Sequence, residues 1–481
     1  MERTKVIFGN AIPACTRSKA ERKKKSFIRK YGNDSYKVYH MKASPAPAIG
    51  DMLGVSELKL SRRKEVSFNE KSIILGNIRM GFGHYRIAMA LASAAHALGY
   101  EPYWFDLSSF EGTTCSKLIK GQNRLYSVGS RLSQKSALFN KAVWEKLNCE
   151  GFRKLSYNAC DQKTAELMTP VFRDIPKDVP FLAAHSWAAQ AAVHAGLKKV
   201  VNVIPDNWPM ALHLAEGALH TVQTPSSYIG YRVLRGMDGE RPLQPMPADQ
   251  IICTGHYIDH ELVSNIDEDC KRRIQRTSRR YLLTVGGAGA QRETIASIIR
   301  QLLPEVKRRR AVILLNTGDH SDVLHSLVRE IPQMKKYLRE HIDDFEETKR
   351  FAADAYDGEI SGIHAFCHSD IFAAVYSTNL LMRVCDVLVT KPGELAFYPV
   401  PKLLIKRVGG HEAWGAVRSA EIGDGTYECS SPGEISAVLS LIQNDQGIVK
   451  MMCENIRKAR DCGIYDGAYN AVKAAINSKA N

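Results

Sequence analysis

The sequence predicts an α/β protein in which two successive units each contain a parallel sheet covered by helices. Two observations lead to this prediction. Short apolar runs alternate with helical stretches from Lys71 to about residue 255, and the same alternation starts again after Asp267. Strands that alternate with helices in this way pair as parallel sheets with helices on both faces. The chain has 481 residues, which is too long for one ordinary domain and sufficient for two.

The composition is typical of a soluble globular protein, with 44% hydrophobic and 24% charged residues. No apolar run approaches the roughly 18 residues that span a bilayer, and the N-terminal segment lacks the apolar core of a secretory signal. Eleven cysteines occur without a Cys-x-x-Cys pair, which argues against a structural zinc site or a disulfide framework. We therefore expect a cytoplasmic protein with no metal and no resident cofactor.

Residues 1–70 are predicted to form a basic N-terminal extension that is partly flexible. Residues 17–30 (RSKAERKKKSFIRK) hold eight Lys or Arg and one Glu, so they contribute +7 of the formal net charge of +15. A solvated arm is one interpretation of such a run. Attraction to anionic lipid headgroups, worth roughly 1 kcal/mol per basic residue near the surface, is the other, and it predicts peripheral association with the inner face of a membrane. No nucleic-acid recognition motif accompanies the run, so nucleic acid is the less favoured partner.

The first α/β unit is predicted to cover residues 71–258. Its apolar runs predict strands, and its alanine-rich or amphipathic stretches predict helices. The predicted strands are SIILGNI (72–78), EPYWFDL (101–107), VPFLAAH (179–185), KVVNVIPD (199–206), HTVQTP (220–225) and QIICTG (250–255). The predicted helices cover residues 85–98, 115–148 and 186–196.

The second unit is predicted to cover residues 259–446. It begins with a strand, a glycine-rich turn and a helix over 279–306, and further strands are predicted at 310–319, 362–367, 384–393 and 401–408. The acidic stretch 335–362 is interpreted as an inserted helix and loop. Residues 447–481 are predicted to end the chain as helices that cross back to the first unit.

The first strand of the first unit ends in a turn that contains two glycines and a histidine. In GNIRMGFGHYRIAMALASAAHALGY (76–100), Gly81, Gly83 and His84 directly precede an alanine-rich helix. Glycines let a ligand approach the backbone, and the helix N-terminus adds about half a positive charge. The turn is not a P-loop, and Arg86 stands where a dinucleotide-binding fingerprint has its third glycine. Taken alone, the turn is also compatible with a simple tight turn.

A similar turn follows the first strand of the second unit. In TVGGAGAQRET (284–294), Gly286, Gly287, Ala288, Gly289 and Gln291 lie between the strand and the next helix. Backbone N–H groups and the helix dipole suit a diphosphate here and need no metal. Two matched turns in two matched units are harder to explain as independent tight turns than one turn alone.

Two more loops are expected at the same edge of the second sheet, because parallel strands share their carboxyl ends. One follows the strand at 387–389, and the other follows the next strand along the chain. A lysine for phosphate and a carboxylate for sugar hydroxyls in these loops suit a nucleotide-sugar, although either charge could also be an ordinary surface charge. The residues are Thr390, Lys391, Gly393, Gly410, His411 and Glu412.

In this order and spacing, the motifs resemble those of GT-B glycosyltransferases. Among these enzymes, they look like the family 28 group that contains monogalactosyldiacylglycerol synthase, processive diacylglycerol glucosyltransferase and the N-acetylglucosaminyltransferase of peptidoglycan lipid intermediates. The resemblance covers about residues 72–475. The motifs that carry it are GFGHYRIAMAL (81–91), VNVIPDNWP (201–209), VQTPS (222–226), CTGHYID (253–259), VGGAGAQ (285–291) and VCDVLVTKPG (384–393).

The resemblance implies two Rossmann-like domains that face a cleft and an inverting, metal-independent transfer of a sugar. The donor would be a nucleotide-sugar, usually a UDP-sugar, on the second domain, and the acceptor a lipid or other hydroxyl compound on the first. By matching position, His84 would be the general base. Residues 287–291 would hold the diphosphate, and Lys391 would offset its charge. Asp206 and Asn207 lie in the loop that corresponds to the acceptor side, together with the first glycine turn.

The sequence departs from the family pattern after Lys391. In KPGELAFYPVP (391–401), Pro401 comes earlier than in the family, so the carboxylate that would bind the ribose is Glu394, Glu412 or absent. The segment between the units reads Gly-His-Tyr-Ile instead of Gly-Ile-Pro. Two alternatives therefore stay open. One is a UDP-sugar epimerase-type enzyme on the same fold, whose additional carboxylates the sequence does not identify, and the other is a catalytically inactive nucleotide-sugar-binding protein.

Overall fold

The structure is a computed structural model that describes residues 3–79, 81–135, 151–286 and 291–478. Within these ranges the chain forms two α/β domains, each built on its own sheet. None of the helices described is both long enough and apolar enough to cross a membrane.

The first domain begins with a short hairpin and continues as alternating strands and helices. Its strands are β1 (Val6–Ile7), β2 (Asn10–Ala11), β3 (His40–Pro45), β4 (Ser56–Ser61), β5 (Ser72–Asn77), β6 (Glu101–Asp106), β7 (Phe181–Ala183), β8 (Val200–Val203), β9 (Leu219–Val222), β10 (Met237–Glu240) and β11 (Ile251–Cys253). Its helices are α1 (Ala14–Tyr31), α2 (Gly50–Leu53), α3 (Gly83–Ala97), α4 (Thr114–Lys135), α5 (Leu155–Ala165), α6 (Ser186–His194) and α7 (Pro225–Arg232).

The first sheet has the strand order β11-β9-β8-β7-β5-β6-β4-β3 among the described residues. All neighbours are parallel except β3, which pairs antiparallel with β4. Strand β5 is buried along its whole length, as expected for a parallel strand covered on both faces. Leu75 in β5 lies opposite Trp104 in β6 and Leu182 in β7. Helix α3 therefore starts at the position where the strand order reverses, which is the usual ligand-binding crevice of such sheets.

Residues 3–70 are part of the first domain, which differs from the predicted boundary at residue 71. Strands β3 and β4 extend the sheet beyond β6, and α1 packs against α5. Lys24 on α1 lies 2.5 Å from Glu166, just after α5, and Lys23 lies 3.5 Å from the buried Asp161. The sequence contains little indication of β3 and β4, because only Met41 and Leu58 are fully buried in these strands.

The second domain repeats the alternation. Its strands are β12 (Arg279–Thr284), β13 (Ala311–Asn316), β14 (Leu338–Ile342), β15 (Gly362–Cys367), β16 (Val387–Thr390) and β17 (Lys402–Leu404). The helices from here to the end of the chain are α8 (His260–Ser264), α9 (Ile266–Gln275), α10 (Arg292–Lys307), α11 (Ser321–Glu330), α12 (Phe345–Asp357), α13 (Ile371–Val384), α14 (Ala413–Ile422), α15 (Pro432–Asn444), α16 (Gln446–Asp461) and α17 (Gly467–Asn477).

The second sheet is parallel throughout its described part and has the order β14-β15-β13-β12-β16-β17. The predicted fold class, α/β with two Rossmann-like parallel sheets in the GT-B arrangement, is confirmed. The prediction for residues 335–362 is wrong in its first half, because this stretch contains β14, which pairs with β15 from Leu338 to Ile342. As an edge strand with the sequence LREHI, β14 buries only His341 and carries no apolar run.

The chain crosses between the domains at residues 254–259 and returns to the first domain at its end. His256 donates its backbone N–H to the carbonyl of Ile464 at 2.6 Å, and Gly467 donates to the carbonyl of His256 at 3.0 Å. Helix α17 then packs on α3, and its Ala468, Ala471 and Val472 are fully buried in the same apolar cluster as the alanines of α3.

Arg86 connects α3 to the second domain. Its side chain is 2% exposed, and its guanidinium donates to the Asn379 side chain and, at 3.2 Å, to the Thr378 hydroxyl, both on α13. The carboxyl group of Asp259 lies within electrostatic reach of Arg86 and accepts a hydrogen bond from the Tyr398 hydroxyl at 3.1 Å. Burial raises the pKa of Asp259 to about 6, although the Arg86 charge and the Tyr398 hydrogen bond act in the opposite direction.

The Arg86→Ala variant is expected to be less stable, because it leaves buried polar groups of α13 without their donor. We expect a loss of about 3 kcal/mol and a melting temperature lower by roughly 6–12 °C, measured by thermal denaturation. The matched control is Arg63→Ala, at an exposed position. Equal melting temperatures for the two variants would contradict a stabilising role of Arg86.

Candidate functional site

The carboxyl ends of the two sheets face each other, and several side chains make contact across the gap. Arg79, after β5, forms an ion pair of 3.0 Å with Asp319, after β13. The rings of Trp208 and Trp414, one from each domain, lie edge to face with 5.5 Å between their centroids. The two loop systems predicted from the sequence therefore line one shared cleft.

The two glycines of the first turn are needed for different reasons. Gly81 has a φ of +82°, which side chains with a Cβ rarely adopt. At Gly83 a Cβ atom would lie 3.2 Å from a carboxylate oxygen of Glu394. The absence of a side chain at Gly83 therefore lets an acidic residue of the second domain approach the start of α3.

His84 is the second residue of α3 and is held in a defined orientation. Its Nδ1 lies 2.7 Å from the backbone carbonyl oxygen of Ala184. Because a carbonyl oxygen only accepts, Nδ1 donates and Nε2 carries the lone pair. Burial lowers the pKa of His84 below 6.5, while the Ala184 hydrogen bond and the charge of Asp206 oppose this shift. His84 can therefore accept a proton at neutral pH.

Asp206 lies in the loop after β8 and is held by a second histidine. His213 Nε2 is 3.3 Å from Asp206 Oδ2, and His213 Nδ1 is 2.7 Å from the buried Tyr231 hydroxyl. Burial alone would raise the pKa of Asp206, but the His213 hydrogen bond and the nearby imidazoles of His411 and His84 hold it well below its ordinary value. Asp206 is therefore an ionised carboxylate.

Asn207 has a different environment. Its side-chain oxygen accepts from the hydroxyls of Thr224 and Ser227, each at 3.2 Å, at the N-terminus of α7. Asn207 thus fixes the loop that carries Asp206, and its side-chain oxygen is engaged in these two hydrogen bonds.

On the second domain, Lys391 forms an ion pair with Glu412. Glu412 also accepts the backbone N–H groups of Val408 and Gly409, at 2.8 and 3.2 Å. Burial alone would lower the pKa of Lys391, but the charges of Glu412 and Glu394 raise it above its ordinary value. Lys391 is thus a fixed cation at the carboxyl end of β16.

Two of the predicted glycines pack directly on Lys391. At Gly393 a Cβ would lie 2.9 Å from Lys391 Nζ, and at Gly286 it would lie 3.4 Å from Lys391 Cε. The loop after β12 and the loop after β16 therefore meet at this lysine. Gly287, Ala288 and Gly289 lie outside the described residues.

The remaining predicted donor-side residues have local roles or lie at the rim. Gln291 adopts a φ of +72° before α10, and its side-chain amide donates to the Lys406 carbonyl. Thr390 accepts from the Thr284 hydroxyl at 3.0 Å and is buried. Gly410 is exposed, whereas the charge of His411 reaches both Asp206 and Glu412.

Of the predicted residues, the structure brings a group of titratable side chains from both domains together, and Gly83, Gly286 and Gly393 lie against them. The group consists of His84, Asp206, Lys391, Glu394, His411 and Glu412. Among its carboxylates, Glu394 differs because it makes no hydrogen bond or ion pair with any described residue.

Sequence reasoning missed four aromatic residues of the cleft. His185 packs edge to face on His84, with 4.7 Å between ring centroids. His213 supports Asp206, and Trp208 meets Trp414 across the cleft. The sequence does contain one indication of His185, because this residue comes just after β7, at the same sheet edge as His84. The pairing of the two tryptophans, 206 positions apart, has no local signature.

A small pocket opens beside His84 in the first domain, with a cavity volume of about 30 Å³. It is lined by His84, His185, Ser186, Asn202, Val203, Ile204, Pro205, Leu212 and His213. Among the described residues, no group of three or more His, Cys, Asp or Glu side chains is arranged to hold a metal ion.

Two family models match the chain, one for each domain. Residues 6–233 match "Domain of unknown function (DUF6937)", and residues 246–476 match "Domain of unknown function (DUF6938)". No curated protein matches the sequence.

Several solved structures have a similar overall arrangement. A UDP-GlcNAc 2-epimerase from Neisseria meningitidis bound to UDP-GlcNAc is 13% identical, with a TM-score of 0.44, over 84% of this chain and 97% of that one. A putative UDP-N-acetylglucosamine 2-epimerase from Listeria monocytogenes is 12% identical, with a TM-score of 0.43, over 84% and 94%. A trehalose 6-phosphate synthase from Burkholderia multivorans is 10% identical, with a TM-score of 0.42, over 84% and 97%. Likeness at this level does not extend to substrate or reaction, so the chain is described by its two matched domains and its GT-B arrangement.

Proposed function

We propose that the protein is a glycosyltransferase that moves a sugar from a nucleotide-sugar, a UDP-sugar by the sequence resemblance, to a hydroxyl acceptor. One observation carries the proposal: His84, with a free Nε2 lone pair, lies opposite the glycine-lined Lys391 of the second domain. The carboxylate of Glu394 approaches Gly83 and lies within electrostatic reach of both His84 and Lys391. A base on one wall and a cation on the other suit a reaction that removes a proton and releases a diphosphate.

The acceptor side of the reaction rests on His84. The Ala184 carbonyl holds the proton on Nδ1, so Nε2 can take the proton from the acceptor hydroxyl. As that proton leaves, the oxygen forms a bond to the anomeric carbon. Asp206 lies within electrostatic reach and stabilises the imidazolium that results. His84 thus acts as the general base.

The donor side rests on Lys391. As the bond between the anomeric carbon and the diphosphate oxygen breaks, the electron pair leaves with the diphosphate. The ammonium group of Lys391 offsets that charge, and the N-terminus of α10 offers backbone N–H groups. Because the base and the leaving group lie on opposite walls of the cleft, the reaction inverts the anomeric carbon. In this proposal no metal ion takes part.

A UDP-sugar epimerase-type reaction is the second candidate, and a specific observation favours it. Such an enzyme needs carboxylates around the sugar, and Asp206, Glu394 and Glu412 all lie within electrostatic reach of Lys391. The two reactions are separated by incubating the protein with UDP-GlcNAc and no acceptor, followed by proton NMR. A change at C2 of the sugar supports the epimerase, and release of UDP only after an acceptor is added supports the transferase. Nucleotide binding with neither change supports an inactive binding protein.

We also propose that α1 attaches the protein to an anionic membrane surface. One face of this helix bonds to acidic residues at α5 through Lys23 and Lys24. Its other basic side chains are exposed. From Lys19 to Arg29 they follow each other at spacings of three or four residues, which places them along the outer side of the helix, and Lys30 is next to Arg29. They are Lys19, Arg22, Lys25, Arg29 and Lys30.

The His84→Ala variant is expected to lose about 10²–10⁴-fold in kcat/KM for transfer, because the general base is removed, while UDP binding stays unchanged. The kcat/KM for transfer is measured from the release of UDP by a UDP-sugar, and UDP binding is measured by calorimetry. In the unsubstituted protein, kcat/KM is expected to fall only at pH values below 6.5, where His84 becomes protonated.

The control for His84→Ala is His325→Ala, at an exposed position on α11. If the His84→Ala variant transfers the sugar at the rate of this control, His84 is not the general base.

The Lys391→Ala variant is expected to bind UDP about 10–100-fold more weakly, because one charge-assisted contact to the diphosphate is lost. Its affinity for uridine, which has no phosphate, should not change. Calorimetric titrations with both ligands test this, and Lys307→Ala, an exposed lysine at the end of α10, is the control. An equal loss for UDP and uridine would mean that Lys391 acts on the fold and not on the diphosphate.

Replacing three exposed basic residues of α1 by Glu is expected to weaken binding to vesicles of phosphatidylglycerol and phosphatidylcholine, since each basic residue contributes roughly 1 kcal/mol. Sedimentation with vesicles measures the effect. The control carries the same number of reversals at exposed positions of the second domain. The variant is Lys19→Glu, Arg22→Glu and Arg29→Glu, and the control is Lys307→Glu, Arg329→Glu and Lys336→Glu. Equal binding by both proteins would reject α1 as the attachment surface.

A further inference from the structure

The contact between Trp208 and Trp414 joins two loops that carry charged groups of the cleft. In the first domain, Trp208 comes two residues after Asp206. In the second domain, Trp414 comes two residues after Glu412, which holds Lys391. The edge of one indole meets the face of the other at 5.5 Å between centroids, which is favourable because the edge of an aromatic ring is positive and its face negative. The two charged loops are therefore fastened to each other across the cleft.

Each indole ring is also in contact with an arginine of the first domain. The guanidinium of Arg153 lies over the Trp208 ring, 5.4 Å from its centre. The guanidinium of Arg235 lies over the Trp414 ring of the second domain, 5.3 Å from its centre. Arg153 donates its Nε–H to the backbone carbonyl of Arg235 at 3.1 Å, which fixes the two arginines relative to each other. These four side chains form a tryptophan clamp, in which the first domain holds Trp414 with an indole and a cation.

A second aromatic contact joins the same walls at the first glycine turn. Phe82 packs on Gly318 of the second domain, where a Cβ atom would lie 2.5 Å from the phenyl ring. The ring of Phe82 also lies 6.3 Å from that of His320 between centroids. Asp319, between these two residues of the second domain, forms the ion pair with Arg79. The walls of the cleft are thus held together at two places, by the tryptophan clamp and by the Phe82 contact.

A nucleotide that binds at Lys391 has to pass between these walls. The charge of Asp206, on the first domain, reaches Lys391 on the second, so the lysine faces the opposite wall. The Glu394 carboxylate approaches Gly83 so closely that a Cβ atom there would lie 3.2 Å away, and this leaves no passage for a phosphate group at that point. Entry and exit therefore require the two walls to separate, and separation breaks the contacts that hold them together.

We propose that the tryptophan clamp is a gate that sets the rates at which a nucleotide enters and leaves the cleft. This proposal rests on the proposed function, because it takes Lys391 as the diphosphate site. Opening moves Trp414 away from Trp208 and Arg235, and closing restores both contacts with the nucleotide inside or outside. Because the clamp holds the closed cleft equally in both cases, weakening it speeds entry and exit by the same factor and leaves the affinity unchanged.

UDP binding kinetics test the gate on the full chain, with surface plasmon resonance as the measurement. Trp414→Ala removes the ring that Trp208 and Arg235 hold. The association and dissociation rate constants are both expected to rise roughly 5–50-fold, from the loss of one aromatic pair and one cation–π contact, and their ratio is expected to stay the same. Trp414→Phe keeps a ring at this position and should bring both rate constants most of the way back. Tyr427→Ala, at an exposed aromatic of the second domain, is the control and should change neither rate constant.

Arg235→Ala is a milder variant, because Arg235 is exposed and its truncation leaves no buried cavity. It removes only the cation over Trp414, so both rate constants are expected to rise about 2–5-fold. Arg241→Ala, at another exposed arginine of the first domain, is the matched control. A rise in both rate constants that is smaller than that of Trp414→Ala supports the clamp as the element that opens.

Two results would overturn the gate: rate constants that Trp414→Ala leaves unchanged, or a dissociation rate constant that rises alone, which would mean that Trp414 holds the nucleotide itself. A double-mutant cycle of thermal denaturation tests the clamp without any nucleotide. The variant with both Trp208→Ala and Trp414→Ala is expected to lose less melting temperature than the two single variants together, because each single variant already removes their shared contact. Additive losses would overturn the clamp.

These outcomes are distinct from a failure of the proposed function. A protein that binds UDP with rate constants that Trp414→Ala does not change keeps the donor site and loses the gate. An unsubstituted protein that does not bind UDP loses the proposed donor site, and the double-mutant cycle then decides on the clamp. In that case, losses that are less than additive support the clamp as a contact that holds the cleft closed, and additive losses overturn it.

Discussion

The buried guanidinium of Arg86 is the interaction on which the geometry of the cleft depends. It joins α3, which carries His84, to α13 of the second domain through Thr378 and Asn379. A buried charge is costly unless it is fully hydrogen-bonded, and the planar fork of arginine accepts only a narrow range of partner positions. The contact therefore restricts how α3 can sit on the second domain. Gly83 lies one helical turn before Arg86, and the Arg86 guanidinium lies 6.0 Å from the ring centre of Tyr398, four residues after Glu394. The same contact therefore helps to set the approach of Glu394 to Gly83.

The charges around the cleft are arranged so that Lys391 can change partners. Glu412 holds the lysine but also accepts two backbone N–H groups, from Val408 and Gly409. If the ammonium group turns toward a diphosphate, the Glu412 carboxylate keeps these two donors and is not left unpaired. Glu394 and Asp206 add negative charge nearby, so the proposed diphosphate site relies on the N-terminus of α10 as well as on Lys391. This arrangement of charges suits a site in which several groups of the cleft bind the diphosphate together with Lys391.

The sequence was informative where the signal is local. The apolar runs of β5 and β12 and the glycines after them predicted the central strands, and His84 and Lys391 followed from their positions after strands. The strands β3 and β4 at one end of the first sheet and the edge strand β14 were missed, because each buries only one residue and therefore has no apolar run. The role of Arg86 could not be predicted, since its partners lie 292 and 293 positions away along the chain. The site residues that were missed, such as His213, depend on the same kind of long-range contact.

Glu394 is the residue on which the choice between the two candidate reactions turns. It makes no hydrogen bond or ion pair among the described residues, while Glu412 is held by three donors and Asp206 by His213. A carboxylate that is free in the protein is available to a substrate hydroxyl. If it binds the sugar or ribose of a donor, it serves only to hold the donor while His84 activates an acceptor. If it instead faces a carbon-bound proton of the sugar, it becomes a base, and the same cleft is suited to epimerisation.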